Sequence, residues 1–291
     1  MIPRSFEYSA PGTLNEAVAL LQKLGPDAKV LSGGQSLIPM MKLRLASPPH
    51  IVDINRIPGL DYIKEEGGVL RIGALVRESD LEHSDLVRTR FPILADTTSV
   101  IADPLVRNQA TVCGNLAHGD PANDHPATML ALGASVVAIG PGGEREIPIE
   151  NFFPGLFTTA LQPDEILKEI RIPIPPPSSG GAYLKLERKV GDYATAGVAV
   201  QITLDGSSAC SRAGIGLTNV GFTPIKAIKA EAFLKGKALD KSTIQRASET
   251  AASEAQPTDD IRGSADYKRD LVRVLTARAL ERAVARIKGG A

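Results

Sequence analysis

The chain has 291 residues, 43% apolar and 23% charged, with 33 basic against 33 acidic side chains and a formal net charge of zero. That length fits two or three domains, and the balanced charge argues against a nucleic-acid or anionic-membrane partner, since both favour a basic surface. No apolar run reaches bilayer length and the first residues lack a signal-peptide core, so a cytoplasmic location is expected. Cys113 and Cys210 make neither a disulfide framework nor a cluster-ligating pair. His118 and His125 lie near acidic residues but at no standard metal spacing, and no metal site is expected.

In chain order, Ser5 to Tyr8 alternates as a short strand. Thr13-Leu14-Asn15-Glu16 is a capping box, and Leu14, Ala17, Val18, Leu21 and Leu24 follow at helical spacing until Gly25-Pro26. Lys29 to Leu31 and His50 to Ile54 read as strands. Ile63 to Glu65 and Val69 to Ile72 flank Gly67-Gly68 as a hairpin. Glu78 to Ile101 is helical in pattern with one interruption at Pro92, and Pro126 to Leu132 is a short helix. Residues 134–139, 146–149 and 165–174 read as strands. Pro175 to Gly181 cannot continue a strand or helix and marks the main boundary. Beyond it come strands at 182–189, 197–204 and 211–217, then helices at 224–234, 242–255 and 266–288. The expected fold class is α+β: a mixed first domain at 1–177 and a C-terminal domain at 178–291 with strands followed by helices.

Two short segments carry the chemistry. Leu31-Ser32-Gly33-Gly34-Gln35-Ser36 and Ala110-Thr111-Val112-Cys113-Gly114-Asn115 each combine a bare glycine backbone with small hydroxyl or amide side chains. Main-chain N–H groups in such loops bind phosphate oxygens, and two of them could hold the two halves of a pyrophosphate. Each glycine taken alone is equally a tight turn. Neither segment is a Rossmann G-x-G-x-x-G or a Walker loop. The run His118-Gly119-Asp120-Pro121-Ala122-Asn123-Asp124 is polar and turn-rich, and Asp124 also reads as a cap for the helix at Pro126.

These motifs resemble the FAD-binding medium subunit of the molybdenum hydroxylases, in particular that of aerobic carbon monoxide dehydrogenase. The family's A-G-G-[HQ]-S motif reads Ser32-Gly33-Gly34-Gln35-Ser36 here, and T-[IV]-G-G-N reads Thr111-Val112-Cys113-Gly114-Asn115. Arg107-Asn108, Gly119-Asp120-Pro121 to Asp124, Glu165-Ile166-Leu167, Tyr183 to Ala194, Ile215 to Val220 and Thr223-Pro224 match in the same order along the chain.

The resemblance implies a two-part FAD-binding domain of the vanillyl-alcohol-oxidase/carbon monoxide dehydrogenase flavoprotein type, divided near residues 55–60, and a C-terminal flavoprotein domain. It implies noncovalent FAD held by Lys29, Val30, Leu31, Ser32, Gly33, Gly34, Gln35 and Ser36 and by Thr111, Val112, Cys113, Gly114 and Asn115. Ile101 and Leu167 would make apolar or backbone contacts, and Asp124 would accept from a nucleotide hydroxyl. Lys185 would lie at the flavin end, with Tyr193 over the isoalloxazine.

The same resemblance implies an oxidoreductase complex whose molybdenum cofactor lies on a large subunit and whose 2Fe–2S clusters lie on a small one, assembled as a dimer of heterotrimers. The complex would be cytoplasmic or associated with the inner face of the membrane. Electrons would reach FAD here through the clusters and leave to an external acceptor. Cys113 stands where the family has glycine; it reads as a small packing residue rather than a redox thiol. On the residues alone, a stand-alone FAD oxidoreductase using His118, Glu187 or Arg188 is an alternative, as is a non-enzymatic interaction module whose glycines are only turns.

Overall fold

The computed structural model describes residues 2–289. Its first layer is a parallel three-stranded sheet of β1 (Glu7–Ser9), β2 (Ala28–Leu31) and β3 (His50–Asp53), with β3 in the middle. Helix α1 (Leu14–Leu24) covers it with Ala17, Val18 and Leu21. Of the expected capping box the N-cap half forms, Thr13 accepting from the Glu16 N–H, while the Glu16 carboxylate accepts from Gly12 N–H, one residue before the N-cap. After β2 the chain enters the short helix α2 (Leu37–Lys42). Pro39 within it hides that helix from a reading of the sequence.

The second layer is an antiparallel five-stranded sheet. It contains β4 (Ile63–Glu66), β5 (Val69–Gly73), β6 (Ser135–Gly140), β7 (Gly143–Pro148) and β8 (Ile166–Pro173), in the order β4-β5-β8-β6-β7. Between β5 and β6 run six helices: α3 (Glu78–His83), α4 (Asp85–Arg90), α5 (Pro92–Ser99), α6 (Pro104–Arg107), α7 (Val112–Ala117) and α8 (Asp124–Leu132). The helical stretch expected over 78–101, with its one interruption at Pro92, is therefore three helices. Pro92 starts α5, and a second break falls at Ser84, whose hydroxyl caps α4 by accepting from Val87 N–H. The second glycine motif is not a loop either: it is the first turn of α7, with Thr111 as N-cap. Asp124 does not cap α8. It is the first helical residue, and Asn123 occupies the cap position without a side-chain bond to the helix, its amide donating instead to the Asn115 carbonyl at 2.8 Å.

The third layer is an antiparallel meander of β9 (Ser179–Glu187), β10 (Ala194–Leu204), β11 (Cys210–Thr218) and β12 (Ile225–Lys226), with β9 at one edge. Helices α9 (Ile228–Leu234), α10 (Lys241–Glu254) and α11 (Ala265–Ile287) cover one face. Two expectations change here. Ser179-Gly180-Gly181 belong to β9 rather than to a linker, because Gly180 lets the α11 backbone at Ala283 approach the strand. Pro224 does not open a helix: Ile225 and Lys226 first pair with β11. On the opposite face lies α8, every residue of which is buried. A Cβ at Gly214 or Gly216 would strike the carbonyls of Ala131 and Ala127, so α8 rests directly on β11. The α8 helix thereby joins the core of the five-stranded sheet to the meander, and Tyr183 and Ala199 of the meander belong to that core. Among the described residues no helix is long and apolar enough to cross a membrane.

Candidate functional site

The two glycine motifs meet where β2 ends and α7 begins. The Leu31 carbonyl accepts Ile54 N–H at 3.0 Å, and the chain then turns through Ser32 to Ser36. Thr111 Oγ1 accepts Gly114 N–H at 3.1 Å and lies 3.0 Å from Ser32 Oγ. A Cβ built on Gly33 would stand 2.5 Å from the Gln109 carbonyl and 2.7 Å from Thr111 N, so only glycine lets the two backbones lie this close. Gly34 has φ +75°, the left-handed region.

Behind this junction is a brace that motif reading did not identify. Asn55 Nδ2 donates to the Ser32 carbonyl (2.8 Å). Arg77 donates to Asn55 Oδ1 (2.7 Å) and to the Gln109 carbonyl (2.6 Å). One guanidinium therefore holds the backing of both motifs. Glu78 N–H adds a bond to the Ala110 carbonyl, and the Glu78 carboxylate meets His125 Nε2 at 2.8 Å in the core. The N–H groups of Gly33, Gly34, Gln35, Ser36 and Cys113 have no protein acceptor among the described residues. Free main-chain donors grouped on turns are the recognition elements of an anion site.

This junction opens on a cleft of 1140 Å³. Every residue expected to contact the cofactor lines the cleft except Val112, which is fully buried in the core. Cys113 borders the cleft, but its Sγ turns to the carbonyls of Ile72 and Gly73 on β5. Burial pushes that thiol well above its ordinary range, so it does not form a thiolate.

The cleft also borders a buried polar cluster. Asp124 Oδ1 accepts from the Tyr183 hydroxyl at 2.5 Å, and Oδ2 accepts from Lys185 Nζ at 3.1 Å. Lys185 also donates to the Val100 carbonyl at 2.8 Å and stands 3.3 Å from Glu187 Oε2. The Lys185 and Asp124 side chains are only 2% and 7% exposed. Burial raises the Asp124 carboxyl above the usual carboxylate range, opposed chiefly by the Lys185 charge, and burial drives the Tyr183 phenol far up. Tyr183 belongs to the matching segment 183–194 but carries no expected site role, although it shares one face of β9 with Lys185.

Tyr193 sits at the rim, 44% exposed. The Arg262 guanidinium lies 5.7 Å from its ring centroid and pairs with Asp192 at 2.9 Å. Ile101 and Ala102 are held by Arg107, which donates to both carbonyls and pairs with Glu82. His118 packs against Phe157 with centroids 5.5 Å apart, and burial lowers its pKa.

The residues fit a dinucleotide. The volume exceeds the roughly 300–1,000 Å³ of ordinary small-molecule pockets. The two motifs present donors and no carboxylate to a pyrophosphate, and Asn115 Oδ1 is a buried acceptor without a partner among the described residues. The geometry is that of an FAD-type flavoprotein cleft formed by two glycine turns outside the Rossmann pattern.

Comparison with known proteins agrees. Residues 4–175 match the family described as "FAD binding domain in molybdopterin dehydrogenase", and residues 181–283 match "CO dehydrogenase flavoprotein C-terminal domain". The chain is 48% identical over 286 residues to the carbon monoxide dehydrogenase medium chain of Hydrogenophaga pseudoflava, covering 98% of this chain and 99% of the relative. It is 47% identical over 288 residues to the carbon monoxide dehydrogenase medium chain of Afipia carboxidovorans, covering 99% and 100%. The solved structure of carbon monoxide dehydrogenase from Hydrogenophaga pseudoflava superposes with a TM-score of 0.95 at 49% identity, covering 98% of this chain and 99% of that one. The chain belongs to the family of FAD-binding medium subunits of the molybdenum hydroxylases, which are oxidoreductases. The reading of its glycines as mere turns of a non-enzymatic module does not stand.

Proposed function

We propose that this chain carries FAD in the 1140 Å³ cleft and serves as the electron-transfer subunit of a carbon monoxide dehydrogenase. The observation that carries the reading is the docking of Gly33 onto residues 109–111, which brings the free N–H donors of residues 33–36 and that of Cys113 to one cleft. When bound, the flavin supplies the exchange between one-electron and two-electron transfer. The chain's own residues bind and orient it. Residues 29–36 and 111–115 hold the pyrophosphate and ribityl region, and Ile101 and Leu167 give apolar or backbone contacts. Asp124 takes a nucleotide hydroxyl. Lys185, fixed by Asp124 and the Val100 carbonyl, keeps a positive charge at the flavin end. Tyr193 covers the ring.

Carbon monoxide as the substrate of the complex is supported by end-to-end similarity of 47–48% to two carbon monoxide dehydrogenase medium chains. In this reading a large molybdenum-binding partner performs the oxidation, a small iron–sulfur partner relays electrons, and the assembly is a dimer of heterotrimers. It works in the cytoplasm, with access to the inner face of the membrane. The division into 1–177 and 178–291 is supported by the family matches ending at 175 and restarting at 181. A subdomain limit near 55–60 fits the gap between β3 and β4.

The test is the purified full chain with added FAD. A yellow, noncovalent complex is expected, with no turnover of a substrate by the isolated chain. A folded chain that stays colourless in excess FAD overturns the proposal, and turnover by the isolated chain replaces it with the stand-alone oxidoreductase.

A further inference from the structure

The polar contacts around Asp124 depend on strand β9, and among the described residues β9 is an edge strand bonded only to β10. Its outward main-chain groups, at alternate residues including Gly181 and Tyr183, have no neighbouring strand. An ion pair occupies that edge. Asp96, on α5, receives Arg286, near the end of α11, through both guanidinium nitrogens: Nη1 to Oδ2 at 2.7 Å and Nη2 to Oδ1 at 2.9 Å. The Asp96 Oδ2 also accepts Tyr183 N–H at 3.2 Å, and Arg286 Nη1 also donates to the Gly181 carbonyl at 2.6 Å. Arg282, one turn earlier, adds its charge at 3.3 Å from Asp96. The Asp96 and Arg286 side chains are only 12% and 16% exposed.

The bidentate pair thus replaces a missing strand at two successive outward positions of β9. Those positions lie beside the residues that matter at the cleft, because Tyr183 and Lys185 leave the same face of β9 and both end on Asp124. Shifting the strand by one residue would turn both side chains to the other face. We propose that Asp96 and Arg286 are positioning residues for the cofactor. By holding β9 in register against α5, the C-terminal helix sets the Tyr183–Asp124–Lys185 cluster and with it the affinity for FAD. The inference rests on the reading of the cleft as the FAD site.

The experiment uses the full chain and reads the FAD dissociation constant together with hydrogen exchange of the 179–187 segment. Asp96→Asn and Arg286→Gln are each expected to weaken FAD binding by at least about fivefold, the low end of coupling between distinct sites, and to speed exchange at Tyr183. The double variant should be no worse than the more damaging single one, since the pair acts as a unit. Arg286→Lys, which keeps the charge but loses the fork, should fall between Arg286→Gln and wild type. Arg273→Gln, on the exposed side of the same helix and paired among the described residues only with Asp270, should leave both readouts unchanged. Folded Asp96→Asn and Arg286→Gln chains with wild-type FAD affinity overturn the proposal, even if their thermal stability has dropped. If those variants do not fold, wild type decides: saturating FAD must slow exchange at 181–185, and unchanged exchange there refutes the coupling. A wild-type chain that takes no FAD brings down the reading of the cleft and the clamp with it. Wild-type affinity in the variants removes the clamp alone.

Discussion

Replacing Gly33 by alanine tests the central contact of the site. Gly33 does not have a positive φ, so alanine adds no backbone strain there and on its own would restrict the unfolded chain slightly, a stabilising effect of about 0.4–1 kcal/mol. The obstacle is space. The new Cβ would stand 2.5 Å from the Gln109 carbonyl, 2.7 Å from Thr111 N and 2.8 Å from Ala110 Cα, all main-chain atoms that cannot rotate aside. The two motifs must separate by roughly 0.9 Å, an overpacking change that costs about 1–3 kcal/mol. Separation also breaks the Ser32–Thr111 hydroxyl bond, worth about 0.5–1.5 kcal/mol. If both terms act on the cofactor-binding geometry, FAD affinity falls between about tenfold and a thousandfold. Gly34→Ala makes the useful contrast. Its φ of +75° imposes strain of about 1–2 kcal/mol, but the nearest atoms its Cβ would meet are movable side-chain ends, Ile38 Cδ1 at 2.7 Å and Leu31 Cδ1 at 3.3 Å, so the loss should be nearer tenfold. Titration of the apo chain with FAD gives the ranking, and urea midpoints without FAD separate affinity from stability. A Gly33→Ala chain within about twofold of wild-type affinity, or a Gly34→Ala chain that binds more weakly than it, refutes the reasoning.

Lys185→Met removes the cation that faces the buried Asp124 carboxylate. Breaking one side of such a pair costs about 3–5 kcal/mol, and the Lys185→Met/Asp124→Asn double variant should recover part of it because Asp124 no longer carries an unpaired charge, while Glu187, 3.3 Å from Lys185 in the wild type, still loses its cation. A loss below about 1 kcal/mol in urea denaturation of the single variant would contradict the pairing. Asp192, whose bond from Arg262 holds its carboxyl down to about 2, gives a pH signature. Its native pKa lies below the ordinary 3.8, so its stabilising contribution is complete above about pH 4 and is lost as the pH falls through about 2. The difference in melting temperature between wild type and Asp192→Asn should shrink over that window, and a gap that stays constant down to pH 2 would count against it.

Much of the cleft is legible in the sequence because its parts are local. A glycine pair after a strand and a Thr-x-x-Gly turn are set by φ, by backbone access and by capping, all of which act within a few residues. The family resemblance adds the distant partners Asp124, Lys185 and Tyr193. What the sequence conceals is carried by long-range main-chain contacts. Asn55 and Arg77 brace both motifs through carbonyl oxygens, which no side-chain pattern announces. The same is true of β9. Ser179-Gly180-Gly181 reads as a linker by composition, yet the glycine is there so that α11 can pack on the strand. The helical pattern over 78–101 hides a break at Ser84 because a cap residue inside an apolar period looks like an ordinary polar face position.

Cys113 shows how the two levels fit together. A side chain in place of glycine would block a left-handed phosphate loop, but the segment is the first turn of a helix, where Thr111 supplies the cap and Cys113 has no positive φ. In that turn the Cys113 N–H keeps no protein acceptor while its Cβ and sulfur point onto β5. The position therefore contributes a donor through its backbone and fills the core with its side chain. A small apolar residue serves both ends, and the freedom that only glycine provides is needed instead at Gly33, where two backbones touch. The division of labour between the motifs follows: the first brings the close approach, the second brings an anchored helical turn, and the cleft lies where the two are pressed together by Arg77.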